Sequence, residues 1–113
     1  MNIQIFGKNK CFDTKKAERY FKERGVRFQR IDLEQKGMSR GELQSVRAAV
    51  GGLEPLIDPK AKGEQALLLR YLGSDEEKTE KLLEHPALLR SPIVRNGRLA
   101  TVGYCPEVWK TWE

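Results

Sequence analysis

The stretch Pro92-Ile93-Val94-Arg95-Asn96-Gly97-Arg98-Leu99-Ala100-Thr101-Val102 decides the fold. Two short β-prone runs, Pro92-Ile93-Val94-Arg95 and Leu99-Ala100-Thr101-Val102, are joined through Asn96-Gly97, the strongest short-range hairpin signal a sequence carries. Just beyond them Pro106 suits the first turn of a closing helix, where a missing N–H loses no intrahelical bond. That helix holds Val108, Trp109 and Trp112, read as core and edge packing rather than a stacking platform.

Working back to the start, Ile3 and Ile5 alternate with polar residues and predict a first strand. Positions 12–24 read as an amphipathic helix with Ala17, Tyr20 and Phe21 on one face, stopped by Gly25. Val26, Phe28 and Ile31 predict a second strand reaching Asp32, so the first third is a β-α-β unit with parallel pairing and a right-handed crossover. The middle is helical, approximately 36–89. Ser39-Arg40-Gly41-Glu42 has capping-box spacing and opens a helix that ends by Gly51-Gly52. A third helix holds Leu67, Leu68, Leu69, Tyr71 and Leu72 and ends at Gly73. Ser74-Asp75-Glu76-Glu77 is a second capping box, and its helix carries Leu82 and Leu83 toward His85. Removing the middle leaves β-α-β-β-α. A parallel pair and an antiparallel hairpin in one four-stranded mixed sheet, with helices on its faces, is the α/β arrangement of the thioredoxin fold.

Length and composition set bounds. With 113 residues, the chain is expected to form one domain, 1–113, around a single core. No apolar run approaches the roughly 18 residues of a membrane helix, and the start, Met1-Asn2-Ile3-Gln4, has no secretory pattern, so the expected compartment is cytoplasmic. Cys11 and Cys105 then read as reduced thiols. With His85 as the only histidine, at no ligand spacing, no zinc site is expected. The net charge of +5 is spread rather than blocked, without interleaved aromatics or a nucleic-acid-binding motif, so direct nucleic-acid binding is not expected.

Cys11 carries the chemistry. It stands between the first strand and the first helix, where unpaired N–H groups and the helix dipole favour thiolate over thiol. Lys8, Lys10, Lys15, Lys16, Arg19, Lys22 and Arg24 gather around that helix; they either lower the thiol pKa and draw in anionic substrates or form a plain solvated face. Asp13 partly offsets their field and stabilises the helix start. Thr14 either donates its hydroxyl to the sulfur or caps the turn, and the bland reading of Cys11 is an inert residue buried under the helix. His85, beside Pro86, reads as a helix-end residue rather than a base.

Gly7-Lys8-Asn9-Lys10-Cys11, Lys15-Lys16-Ala17, the helical middle, Leu89-Arg90-Ser91-Pro92-Ile93-Val94 and Val102-Gly103-Tyr104 together resemble the arsenate-reductase-like family. That family includes glutaredoxin-like arsenate reductases, YffB-type reductases and Spx regulators, and the resemblance spans nearly the whole chain. It implies that Cys11 is the nucleophile and that the Ser91-Pro92 bond is cis and faces it, leaving the Ser91 backbone free to hold an extended peptide such as glutathione. An ordinary strand-opening proline is the alternative for Pro92. The implied binding set around Cys11 is Lys10, Thr14, Lys15, Arg90, Ser91, Pro92 and Tyr104, with no metal and no bound cofactor. Glutathione, another low-molecular thiol or a glutaredoxin supplies the second sulfur.

The departures narrow the activity. The family's arsenate reductases are expected to hold the oxyanion with three arginines, because a planar guanidinium matches its oxygens. Here the corresponding positions are Ser91, with Arg90 one residue earlier, Tyr104, and Asp58, an acid that repels an arsenate dianion. Cys11-Phe12-Asp13-Thr14 lacks the second cysteine of the redox switch that Spx-like regulators often carry, and Thr14 cannot resolve a mixed disulfide. Cys105 is either a second thiol within reach or a small buried filler. The reading is therefore a thiol-dependent oxidoreductase. The alternative is a non-catalytic Spx-like regulator that binds RNA polymerase or another protein, with Gly52 at a polymerase-contact position that a Gly-Gly helix stop explains equally well.

Overall fold

Alternation in Ile3-Gln4-Ile5-Phe6-Gly7 sends Ile3 and Ile5 to one side of a strand and Phe6 to the other, and all three are buried in the computed structural model, which describes residues 1–113. That strand, β1 (Ile3–Gly7), is central. It pairs in parallel with β2 (Phe28–Asp32) and antiparallel with β3 (Ile93–Asn96), which pairs antiparallel with β4 (Leu99–Val102). The sheet order β2-β1-β3-β4 is the thioredoxin-like arrangement expected from the sequence.

The sheet divides two cores. Helix α1 (Phe12–Glu23) lays Ala17, Tyr20 and Phe21 on one face, against Ile3, Ile5, Val94 and Trp109. On the other face Phe6, Ile31 and Ile93 meet the helical middle through Leu43, Val46, Leu56, Leu69 and Leu82. The closing helix α5 (Pro106–Trp109) is four residues long and runs into a 3₁₀ turn, Lys110–Trp112. No helix is long and apolar enough to cross a membrane.

Between β2 and β3 lie α2 (Arg40–Val50), α3 (Glu64–Arg70) and α4 (Asp75–Glu84), with 3₁₀ turns at Glu54–Leu56 and Pro86–Leu88. Ser39 and Glu42 make both arms of the capping box, and Gly51, at φ 86°, ends α2 in the left-handed conformation that glycine adopts without steric cost. At α4, Ser74 accepts from the Glu77 N–H at 3.1 Å, but the Glu77 carboxylate accepts from the Ser74 hydroxyl rather than from its backbone.

Two elements differ from the sequence reading. The hairpin loop is Gly97-Arg98, one residue later than Asn96-Gly97, because Asn96 stays in β3, paired with Leu99 on one side and Ile3 on the other. Gly97 has φ 61° and Arg98 a negative φ, the pattern of a type II′ turn with glycine first. Helix α3 ends at Arg70, before Tyr71 and Leu72, and buries only Ala66 and Leu69; Leu67, Leu68 and Tyr71 are exposed. Ala66 and Leu69 meet the core, Leu72 packs half-buried at its edge beyond the helix end, and Leu67, Leu68 and Tyr71 face away from it.

The helical middle is tied to the loop before β3 by backbone bonds. The Asp58 N–H donates to Leu88 C=O at 2.9 Å, the Arg90 N–H donates to Leu56 C=O at 2.8 Å, and Ile57 bridges Leu89 antiparallel. The bridge sets Asp58 opposite Leu88 and Arg90 opposite Leu56, and both Asp58 and Arg90 line the cleft that holds Cys11.

Candidate active site

Cys11 is the N-cap of α1, with φ −87° and ψ 119°, and its own side chain makes no cap hydrogen bond. That conformation leaves the sulfur beside the first free N–H groups of the helix. The sulfur is half-buried, not sealed, and lies 3.5 Å from the carbonyl of Ser91. The Ser91-Pro92 bond is cis, as the resemblance implies.

The Cys11 pKa is lowered. Burial alone raises it, and four donors overcome that: the Ser91 hydroxyl, the Thr14 hydroxyl, and the N–H groups of Thr14 and Asp13. Ser91 acts in both directions, since its carbonyl accepts from the protonated thiol while its hydroxyl favours the thiolate. The carbonyl contact is long, and the donors outnumber it. Lysines are not among the causes, contrary to one reading of the sequence. Lys8 is occupied, donating to Asp58 at 3.2 Å and to Ala87 C=O at 2.8 Å.

Thr14 is buried, and its Oγ1 has no other partner in the fold. It packs so closely on β1 that a Cβ at Gly7 would stand 2.3 Å from Thr14 Cγ2, so only glycine fits there. Gly7 is thus a positioning residue that the sequence reading missed; its one signal was a glycine at a strand end, a mark of close approach. Replacing Thr14 by valine keeps the packing and deletes the donor. The Cys11 alkylation midpoint with iodoacetamide is then expected to move to higher pH, slowing the reaction several-fold at neutral pH for a hydrogen bond worth about 1 kcal/mol. An unchanged pH profile in folded Thr14→Val refutes the hydroxyl's role.

The structure brings Lys10, Cys11, Arg90 and Ser91 into one cleft of about 500 Å³, with Asp58 and Lys60 on its far wall. Thr14 lies beneath the sulfur and Pro92 is buried behind Ser91. Lys15 and Tyr104 lie elsewhere. Lys15 lines a separate recess with Glu18 and Arg30, and Tyr104 sits edge-on to Trp109, 5.6 Å between ring centroids, with the Lys16 ammonium 5.6 Å from its ring. Cys105 is a free thiol that donates to Val102 C=O at 3.2 Å, and burial raises its pKa. No group of three or more His, Cys, Asp or Glu side chains is placed to hold a metal ion. Chemically, the cleft offers an ionisable sulfur, the cations Lys10, Lys60 and Arg90 outside any ion pair, and three acids, Asp13, Glu34 and Asp58, of which Asp58 is already paired with Lys8.

Known proteins share this framework. An ArsC-family-related protein from Bacteroides fragilis superposes with a TM-score of 0.87 at 19% identity, over 100% of this chain and 98% of that one. Arsenate reductase from Vibrio cholerae superposes at 0.83 with 24% identity, over 96% and 94%. In sequence, Global transcriptional regulator Spx 2 from Oceanobacillus iheyensis is 33% identical over 109 residues, which is 92% of this chain and 78% of the regulator. The ArsC family profile matches residues 6–112. A match that runs from β1 to the last helical turn, over a sheet of the expected order, places this chain in the ArsC family.

Proposed function

We propose that this protein is a thiol-dependent oxidoreductase with Cys11 as its nucleophile. The observation that carries the reading is a half-exposed sulfur at the start of α1 whose pKa four surrounding donors hold down. The Cys11 thiolate attacks one sulfur of a disulfide. A new S–S bond joins Cys11 to that sulfur, and the other half leaves as a thiolate with the electron pair of the broken bond. An external thiolate, such as glutathione or the cysteine of a glutaredoxin, then attacks the substrate sulfur and releases Cys11. Lys10, Arg90 and Ser91 line the place where the substrate lies, Pro92 backs Ser91, and Thr14 holds the thiolate. Arsenate is not proposed as substrate, because Asp58 occupies the cleft and two of the expected arginine positions are Ser91 and Tyr104.

Incubation with oxidised glutathione, read by intact mass and peptide mapping, is expected to give one glutathione adduct on Cys11 that excess reduced thiol removes. No adduct, or an adduct on Cys105 alone, refutes the proposal.

A second reading has its own support in the 33% identity to a transcriptional regulator: an Spx-like protein that binds RNA polymerase. Gly51, Gly52, Arg47 and Ala48 form an exposed corner at the end of α2. Gly52, at φ 147°, is in a conformation that side chains disfavour, so Gly52→Arg strains the turn, and exposed Ala48→Glu is the cleaner probe of the same corner. Capture of RNA polymerase by wild type and Cys11→Ser but not by Ala48→Glu supports the regulator; no capture by any of them removes it.

A further inference from the structure

Beside the Cys11 cleft lies a second cavity of about 500 Å³, between the segment 54–61, α3 and α4. Asp58, Pro59 and Arg90 line both, so the two are neighbours that share a wall. They differ in chemistry: charged and polar side chains dominate around the sulfur, whereas Ile57, Ala61, Ala66 and Leu69 give the second cavity an apolar floor. Its volume is that of a small-molecule site.

The cations are unevenly matched. Asp58 pairs with Lys8 at 3.2 Å and Glu54 with Lys78 at 3.4 Å, which uses both acids lining the cavity. Arg70 and Arg90 line it with no side-chain ion pair or hydrogen bond inside the protein. Two unpartnered guanidinium groups over an apolar floor match a carboxylate on an apolar body, the pairing for which the planar fork is suited.

We propose that this cavity is a substrate subsite, which takes the apolar, carboxylate-bearing half of an organic disulfide whose sulfur Cys11 attacks. The inference rests on Cys11 as the nucleophile and adds the substrate class. The half in the cavity becomes disulfide-linked to Cys11, the other half departs as a thiolate, and a low-molecular thiol later takes the bound half as a mixed disulfide and restores the Cys11 thiolate.

The test compares two disulfides on the folded protein. Dithiobis(nitrobenzoate) carries a ring and a carboxylate on each sulfur; bis(hydroxyethyl) disulfide is compact and neutral. The ratio of their rates with wild type is expected to exceed the same ratio for N-acetylcysteine by about tenfold or more, the size of one charge-assisted contact. Arg70→Gln, which removes one cation, and Ala61→Phe, which fills the floor, are each expected to bring the ratio back toward the free thiol. A wild-type ratio equal to that of the free thiol, or a ratio left unmoved by either folded variant, overturns the subsite. Should Ala61→Phe fail to fold, Arg70→Gln, an exposed position, decides alone. Wild type no faster than the free thiol with both reagents instead removes Cys11 as an activated nucleophile, a result separate from a failed subsite.

Discussion

Cys11→Ser is expected to abolish the glutathione adduct, whereas Cys105→Ser leaves its rate within about twofold of wild type, since that sulfur is a neutral thiol outside the reaction. Both cysteines are half-buried, and their environments push in opposite directions. Cys11 is lowered because hydroxyl and N–H donors outweigh burial, while Cys105 is raised because burial outweighs the Thr101 hydroxyl and Arg90. A thiol whose pKa lies above neutrality is mostly protonated there, and the protonated form is not a nucleophile. Cys105 also spends its S–H on Val102 C=O, which favours the thiol again. Serine in place of Cys11 keeps the size and hydrogen-bonding character of the side chain but ionises far too weakly to attack a disulfide. The measurement is adduct formation against time by intact mass at pH 7. An adduct that persists in Cys11→Ser refutes the nucleophile. A Cys105→Ser variant that folds and accumulates clearly more adduct than wild type makes Cys105 a resolving thiol, since it then no longer displaces glutathione from Cys11.

Much of this molecule is readable from local pattern, and the parts that are not have a common cause. β1, α1 and the α2 capping box follow from alternation, one apolar face and Ser39–Glu42, each settled within a few residues. The hairpin loop does not, because its register is fixed by partners far away: Asn96 is held by Ile3, and Thr101 must face inward to meet Trp109. The length of α3 was overread for the related reason that Leu67 and Leu68 look like core but meet no facing element. At the site, Cys11 and the Ser91-Pro92 loop were legible, one from its place before a helix and the other from the family resemblance. The source of the low pKa was not. Lysines nearby in sequence pointed to charge, yet Lys8 turns to Asp58, a residue fifty positions on, and leaves hydroxyl and N–H donors to act. The Gly7–Thr14 contact was equally invisible, since it exists only when α1 lies on β1.

Trp109→Ala is expected to cost about 3–5 kcal/mol, the range for deleting a buried tryptophan side chain, out of a total of roughly 5–15 kcal/mol for a domain of this kind. Trp109 is fully buried, with ring centroids 5.1 Å from Phe21, 5.2 Å from Tyr20 and 5.6 Å from Tyr104. Its indole N–H donates to Thr101 Oγ1 at 2.8 Å inside the core. Alanine removes the ring, opens a cavity between α1 and the sheet, and leaves a buried threonine hydroxyl without its donor, a further penalty of about 1–3 kcal/mol if no water reaches it. The element that carries the residue has no independent stability: α5 has four residues and its 3₁₀ extension three, too few to persist without packing. The last eight residues should therefore detach in Trp109→Ala, exposing Tyr20 and Phe21. Trp109→Phe narrows the comparison, since it keeps one ring in the core and loses the N–H with the rest of the indole, and a cost of about 1–3 kcal/mol, below that of alanine, is expected for it. Urea unfolding followed by far-ultraviolet circular dichroism measures both. A Trp109→Ala midpoint within 1 kcal/mol of wild type, taken as about the smallest core-deletion cost, refutes the claim that this one side chain closes the α1 face of the sheet.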